Sequence, residues 1–197
     1  MKKIITTVIV ILCVTSVFAQ FQKGRILAGG SIGFSSHTYK SKTNSTTTTA
    51  AKETVFNFGP KVGYFVIDKL AVGAGLNLAA SVYKPEGSSN KTNNSSISIT
   101  PFVRYYLEPG IFFQGGFGFG SGKSKQKNAN TTTTTKYGTS EWSIGAGYAY
   151  FLNDHVAIEP FLGYQSNTQK YKSPDIKGID SGLFLNIGFQ IYLDPKK

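Results

Sequence analysis

LAVGAGLNLAASVYK, residues 70–84, separates into two unlike sets when alternate positions are read together. One set is Leu70, Val72, Ala74, Leu76, Leu78, Ala80 and Val82; the other is Ala71, Gly73, Gly75, Asn77, Ala79 and Ser81. Side chains of a strand alternate between its faces, so one face is large and apolar and the other small or polar. A soluble sheet turns bulky apolar residues inward and charge outward. A small, uncharged second face suits a narrow lumen, and the apolar face then suits lipid.

The same division recurs along the chain. Ile97, Ile99, Pro101, Val103, Tyr105 and Leu107 oppose Ser98, Thr100, Phe102 and Arg104; Trp142, Ile144, Ala146, Tyr148 and Tyr150 oppose Glu141, Ser143, Gly145 and Gly147. Leu183, Leu185, Ile187, Phe189 and Ile191 oppose Asn186, Gly188 and Gln190. Eight such runs are read, at 26–39, 54–66, 70–84, 96–107, 111–125, 138–152, 156–169 and 181–193. Tight links (Ile67-Asp68-Lys69, Glu108-Pro109-Gly110, Asn153-Asp154-His155) alternate with longer ones rich in Thr, Asn, Ser and Lys. The pattern predicts an all-β fold, an eight-stranded antiparallel transmembrane β-barrel. Short periplasmic turns and long extracellular loops follow, with both termini periplasmic.

Residues 1–19 are read as a cleaved signal peptide: Met1-Lys2-Lys3, an apolar stretch from Ile4 to Val14, and Val17-Phe18-Ala19 at the cleavage site. Residues 20–197 form one barrel domain. Cleavage removes Cys13, the only cysteine, and with it any disulfide or thiol chemistry. Beyond the leader no run of 18 apolar residues occurs, so membrane helices are excluded. The formal charge is +11, carried largely by lysines of the longer connections, so the basic balance belongs to one end. Pro60, Pro101 and Pro160 recur in a Pro-x-aliphatic-x-Tyr repeat. Proline cannot donate to a ladder, so each needs a place where the ladder is broken. Tyr64, Tyr105, Tyr150, Tyr39 and Trp142 fall near strand ends, as aromatic girdles do.

On the stretches 59–78 (GPKVGYFVIDKLAVGAGLNL), 100–120 (TPFVRYYLEPGIFFQGGFGFG) and 158–165 (IEPFLGYQ), the chain resembles the small outer-membrane β-barrel proteins of Bacteroidetes type. In plan it is similar to OmpA-like and OmpX-like eight-stranded barrels. The resemblance implies a Gram-negative outer-membrane location. It also implies an assembly signal in the last strand at Asn186, Gly188, Ile191 and Leu193, read by the barrel assembly machinery. The tail Asp194-Pro195-Lys196-Lys197 departs from the aromatic ending many such barrels have.

Candidates for chemistry are few. His155 reads as a solvated turn residue; His37, beside Ser35 and Ser36, would need an acid such as Glu53 or Asp180. No metal-ligand spacing and no cofactor motif is read. GGFGFGSGK (115–123) lacks the strand-to-helix context of a phosphate loop. The aromatics are not interleaved with the lysines, so nucleic acid is not an expected partner; outer-membrane lipid and lipopolysaccharide phosphates are. The expected role is non-enzymatic, structural or surface-interacting, with a narrow channel second and a lipid-modifying enzyme third. Four charges fall on lumen positions: Lys61, Arg104, Glu141 and Glu159. Counting heights from the turns predicts that Arg104 meets Glu159 low in the lumen with Lys61 close by. It puts Glu141 high, near the loop lysines.

Overall fold

The computed structural model describes residues 18–43, 46–128, 130–172 and 175–194. Most of the expected leader, Cys13 and the last three residues lie outside them. A 3₁₀ turn at Phe18–Phe21 precedes eight strands. These are β1 (Ile26–Thr43), β2 (Thr46–Ile67), β3 (Leu70–Pro85) and β4 (Lys91–Tyr106). They continue as β5 (Ile111–Lys127), β6 (Thr132–Tyr148, resumed past Ala149 at Tyr150–Phe151), β7 (Val156–Lys172) and β8 (Asp175–Leu193). Each strand pairs antiparallel with its sequence neighbours, β6 pairs with β7, and β1 pairs with β8 to close the barrel.

The faces follow the parity of the sequence. Val72, Leu76, Val103, Ile144 and Phe117 are exposed on the outer wall, whereas Phe65, Ala71, Tyr106, Phe112 and Tyr192 are fully buried inside. Small residues on the inner face make room for these rings. A Cβ on Gly73 would stand 2.6 Å from Cζ of Phe102, and one on Gly147 would strike Phe112.

The prolines are accommodated without a change of register. The β2–β3 ladder lapses between Phe58↔Leu78 and Lys61↔Gly75, around Pro60. The β4–β5 ladder lapses between Ile99↔Phe119 and Phe102↔Gly116, around Pro101. Between β6 and β7 it lapses from Gly147↔Phe161 to Tyr150↔Ile158, around Pro160. Each proline keeps its pairing on the other side: Gly30↔Pro60, Ala74↔Pro101 and Pro160↔Ile187. One missing N–H thus opens one ladder locally and leaves the other intact.

The longer connections are built as hairpins rather than irregular loops. The threonine tracts at 46–49 and 132–135 are strand, ladder-paired with β1 and β5. Their β-branched side chains favour extended backbone over coil. The strands therefore run several residues farther out than the hydrophobic pattern alone marks.

The barrel wall is uneven. β1 and β8 pair only from Ile26↔Leu193 to Gly30↔Phe189. Beyond Gly30, β1 stays paired with β2 and β8 with β7, but not with each other. Gly30 has φ +153° and lies against the Gly59 carbonyl, where a Cβ would collide. Only glycine fits at the point where the two strands part.

Candidate functional site

The lumen divides into a packed lower part and an open upper part. Below, the chain leading into β1 folds across the short-turn end. Phe21 stacks on Tyr106 with ring centroids 4.1 Å apart and also meets Phe65, Phe151 and Tyr192. Backbone bonds hold this lead in place: Lys69 N donates to the Phe21 carbonyl (2.7 Å) and Gly24 N to that of Phe65 (2.9 Å). Phe21, Leu27, Phe65, Ala71, Phe102, Tyr106, Phe112, Ala149, Ala157 and Tyr192 form one buried cluster.

Directly above this aromatic floor lies the ion pair. Arg104 Nη1 is 2.7 Å from Glu159 Oε2, and both side chains are all but inaccessible. Arg104 Nη1 also donates to Tyr106 Oη (2.9 Å), Tyr192 Oη donates to Glu159 Oε1 (2.5 Å), and the two tyrosine hydroxyls are 2.9 Å apart. Tyr192 has one proton and gives it to Glu159, so Tyr106 must donate to Tyr192. The result is a closed ring of four side chains. Arg104 Nε and Nη2 both reach Gln114 Oε1 (2.9 and 2.7 Å), and the guanidinium carbon sits 4.0 Å from the centre of the Phe112 ring. A buried ion pair is tolerated only when its remaining hydrogen-bonding groups are satisfied, and here they are.

The other lumen charges are placed differently. Lys61 lines the cavity above, within electrostatic reach of Arg104 and Glu159, but has no hydrogen bond or ion pair with the described residues. Glu141 does not rise to the outer lysines. Its Oε1 accepts from Thr100 Oγ1 (2.7 Å) and Asn77 Nδ2 (3.1 Å), on strands across the lumen. The expectation for Glu141 fails because β6 begins at Thr132, so the residue lies well inside the strand and not at its outer start.

The cavity above the floor has a volume of about 700 Å³. Asn57, Asn77, Thr100, Gln165 and Asn167 give it a polar wall, and none of the floor's buried rings borders it except Phe102. Gln190, inward by parity, is not marked by the sequence as a candidate site residue. It is fully buried beside Gly29, and neither its Oε1 nor its Nε2 has a partner. Nothing in a strand of alternating parity distinguishes such a glutamine from any other inward polar residue. Of the proposed assembly residues, Asn186 and Gly188 border the cavity, whereas Ile191 and Leu193 are exposed on the outer wall.

The termini are latched outside the floor. The carboxylate of Asp194 takes Arg25 on Oδ1, with Nε at 2.8 Å, and His155 Nε2 lies 3.2 Å from Oδ2. The hydrogen bonds from Arg25, then His155, hold Asp194 below the usual carboxylate range. His155 is thus a latch residue as well as a turn residue. His37 is exposed and faces Glu53 in the ladder, but that carboxylate accepts instead from Tyr39 Oη at 2.8 Å. Among the described residues no group of three His, Cys, Asp or Glu could hold a metal ion.

The chain is similar to three solved structures at low sequence identity. The chain is 15% identical to the translocator domain of the autotransporter NalP from Neisseria meningitidis, covering 91% of this chain and 64% of that one, with a TM-score of 0.48. This chain therefore spans just under two thirds of that domain. Neisserial surface protein A is 14% identical over 86% of this chain and 97% of its own, at TM-score 0.47. OprG from Pseudomonas aeruginosa is 16% identical over 88% and 97%, at 0.42. No curated protein sequence matches the chain. The family described as outer membrane protein beta-barrel domain matches residues 68–196, well over half of the chain. With a closed antiparallel barrel, an apolar outer wall and a charged, polar lumen, the chain belongs to that outer-membrane β-barrel family.

Proposed function

We propose that this outer-membrane barrel is non-enzymatic and non-conducting, and that it works through its outer end as a structural or surface-interaction protein. The observation that carries the reading is the sealed floor: the Arg104–Glu159 ring stands on a layer of buried aromatic rings that the N-terminal lead completes. A solute reaching the floor meets no water-filled path. Opening one would break a buried ion pair, at a cost of about 3–5 kcal/mol. Lysines at 84, 91, 123, 125, 127, 136 and 170 lie on the outer halves of the strands and favour contact with lipopolysaccharide phosphates. Assignment to the Bacteroidetes type rests on the stretches 59–78, 100–120 and 158–165. Delivery by the barrel assembly machinery rests on Asn186, Gly188, Ile191 and Leu193.

The test is conductance in planar lipid bilayers. The wild-type protein should give no stable channel. Removal of the plug by Phe21→Ala with Glu159→Ala should raise ion flux. A steady conductance from the intact protein would replace this reading with the narrow-channel one.

A further inference from the structure

Between β1 and β8 the barrel wall is open above Gly30. Residues 31–43 and 175–188 face each other without a ladder. Extending the register of Gly30↔Phe189 would set Ile32 opposite Ile187 and Phe34 opposite Leu185, so the two strands match but stand apart. Side chains along both edges are unusually bare. Ile32 and Phe34 are each 74% exposed and Leu183 and Leu185 are 79% and 71%, against a range from 37% at Val72 to 61% at Ile144 on the closed side. The cavity reaches this gap, since Ile32, Gly33, Leu185 and Ile187 border it. An unpaired strand edge in hydrocarbon is costly, and it is tolerated where it lines a water-filled cavity, as this edge does toward the lumen.

The foot of the gap carries unused polar groups. Gly29 is flanked in the ladders by Lys61 on β2 and Gln190 on β8, all three at inward positions. Among the described residues Lys61, which borders the cavity, has no ion pair, and the Gln190 amide, fully buried behind it, has no hydrogen-bond partner. The cavity is bordered by two cations, Lys61 and Arg104, and two anions, Glu141 and Glu159, but the oxygens of Glu159 are taken by Arg104 and Tyr192, and Glu141 accepts from Thr100 and Asn77. Lys61 is thus the charge that borders the cavity without an ion pair among the described residues. An unpaired lysine at the foot and apolar edges opening sideways to the membrane describe a site for one kind of molecule.

We infer that the upper lumen binds a single-chain anionic amphiphile, a fatty acid drawn from the surrounding membrane. Its carboxylate sits at Lys61, which borders the cavity, and its alkyl chain lies in the gap between β1 and β8. The carboxylate oxygens accept from the Lys61 ammonium. The chain covers Ile32, Phe34, Leu185 and Ile187. The inference goes beyond the non-conducting reading: loss of this site would leave bilayer conductance unchanged, and a conducting barrel could still bind the acid.

The experiment uses the full mature barrel in zwitterionic phospholipid nanodiscs and palmitate carrying a diazirine near its methyl end. Photolabelling mapped by mass spectrometry should concentrate on Ile32, Phe34, Leu185 and Ile187. Lys61→Met should weaken labelling by about ten- to a hundredfold, the range a charged hydrogen bond is worth. Lys61→Arg should retain most of it, and hexadecanol with the same diazirine should label weakly in every form. Heat-modifiable gel migration checks that the variants fold, with Lys61→Gln as the substitute if Lys61→Met does not. Labelling spread evenly around the outer wall, or indifferent to Lys61, overturns the proposal. So does slow exchange, in lipid alone, at those amides of 31–43 that point away from β2 toward β8, which would mean that the two strands close on each other. Dimers cross-linked from β1 of one copy to β8 of another would likewise overturn it, by giving the gap to a second copy.

Discussion

The lower and upper halves of one lumen solve the problem of interior charge in opposite ways. Below, Arg104, Glu159, Tyr106 and Tyr192 exhaust one another's hydrogen bonds over an aromatic floor. Above, Lys61 has no ion pair among the described residues, and a cavity of about 700 Å³ reaches a gap in the wall. The same strands build both halves, so strand propensity does not make the difference. It comes from what fills the space. Phe21 and its lead occupy the lower end from outside the sheet. The upper end has no such insert among the described residues, and β1 diverges from β8 there.

The contrast can be broken most severely at the ion pair. Glu159→Gln leaves a buried guanidinium without its counter-charge and should destabilise the barrel by about 3–5 kcal/mol, read as a lower midpoint in urea unfolding from lipid vesicles. Arg104→Met with Glu159→Met should recover part of that loss, because two buried charges are then removed together. A double variant as unstable as the single one would contradict the pairing.

Phe21→Ala attacks the floor from the other side. It removes a ring that touches four others and leaves a cavity, for an expected loss of about 3 kcal/mol. Tyrosine fluorescence and amide exchange at Tyr106 and Tyr192 should report a wetter floor, while exchange in the outer hairpins stays as it was. A change spread over the whole barrel would argue against two separate halves.

The smallest effect belongs to the latch at Asp194. Its carboxylate is held below its ordinary value by Arg25 and His155, so the latch contributes stability above the unfolded carboxylate pKa of about 4. That contribution is lost as pH falls through the lower folded value. Acidification should therefore loosen the terminal contacts before the barrel itself. Asp194→Asn should remove the acid dependence and weaken the latch at neutral pH, as measured by protease sensitivity of residues 20–25. Equal acid sensitivity in both forms would rule out Asp194 as the titrating group.

What could be read from sequence follows from the same division. Parity gave the wall because every strand repeats it, as Val72 and Gly73 do. The contact between Arg104 and Glu159 was readable from their equal distance to short turns. Glu141 was set too high because threonines paired in the outer hairpins look like loop when hydrophobicity marks strands. Phe21 carries no periodic signal: it precedes the first strand, and its partners come from β2, β4, β6 and β8. The gap was illegible because Ile32 and Phe34 in β1 and Leu183, Leu185 and Ile187 in β8 keep the outward parity of the paired wall below them. Only Gly29-Gly30 marks its foot, and two glycines in a strand rich in small residues do not stand out.

The floor has one more consequence, in time rather than in space. Contact between Phe21 and Tyr192 joins the lead into β1 to the end of β8, the ring contact that closes the longest loop among the described residues. Loop-closure entropy grows with length, and contacts so far apart in sequence form late. Interactions absent from the folding transition state act mainly on the unfolding rate. The aromatic floor would then set how long an inserted barrel lasts more than how quickly it forms.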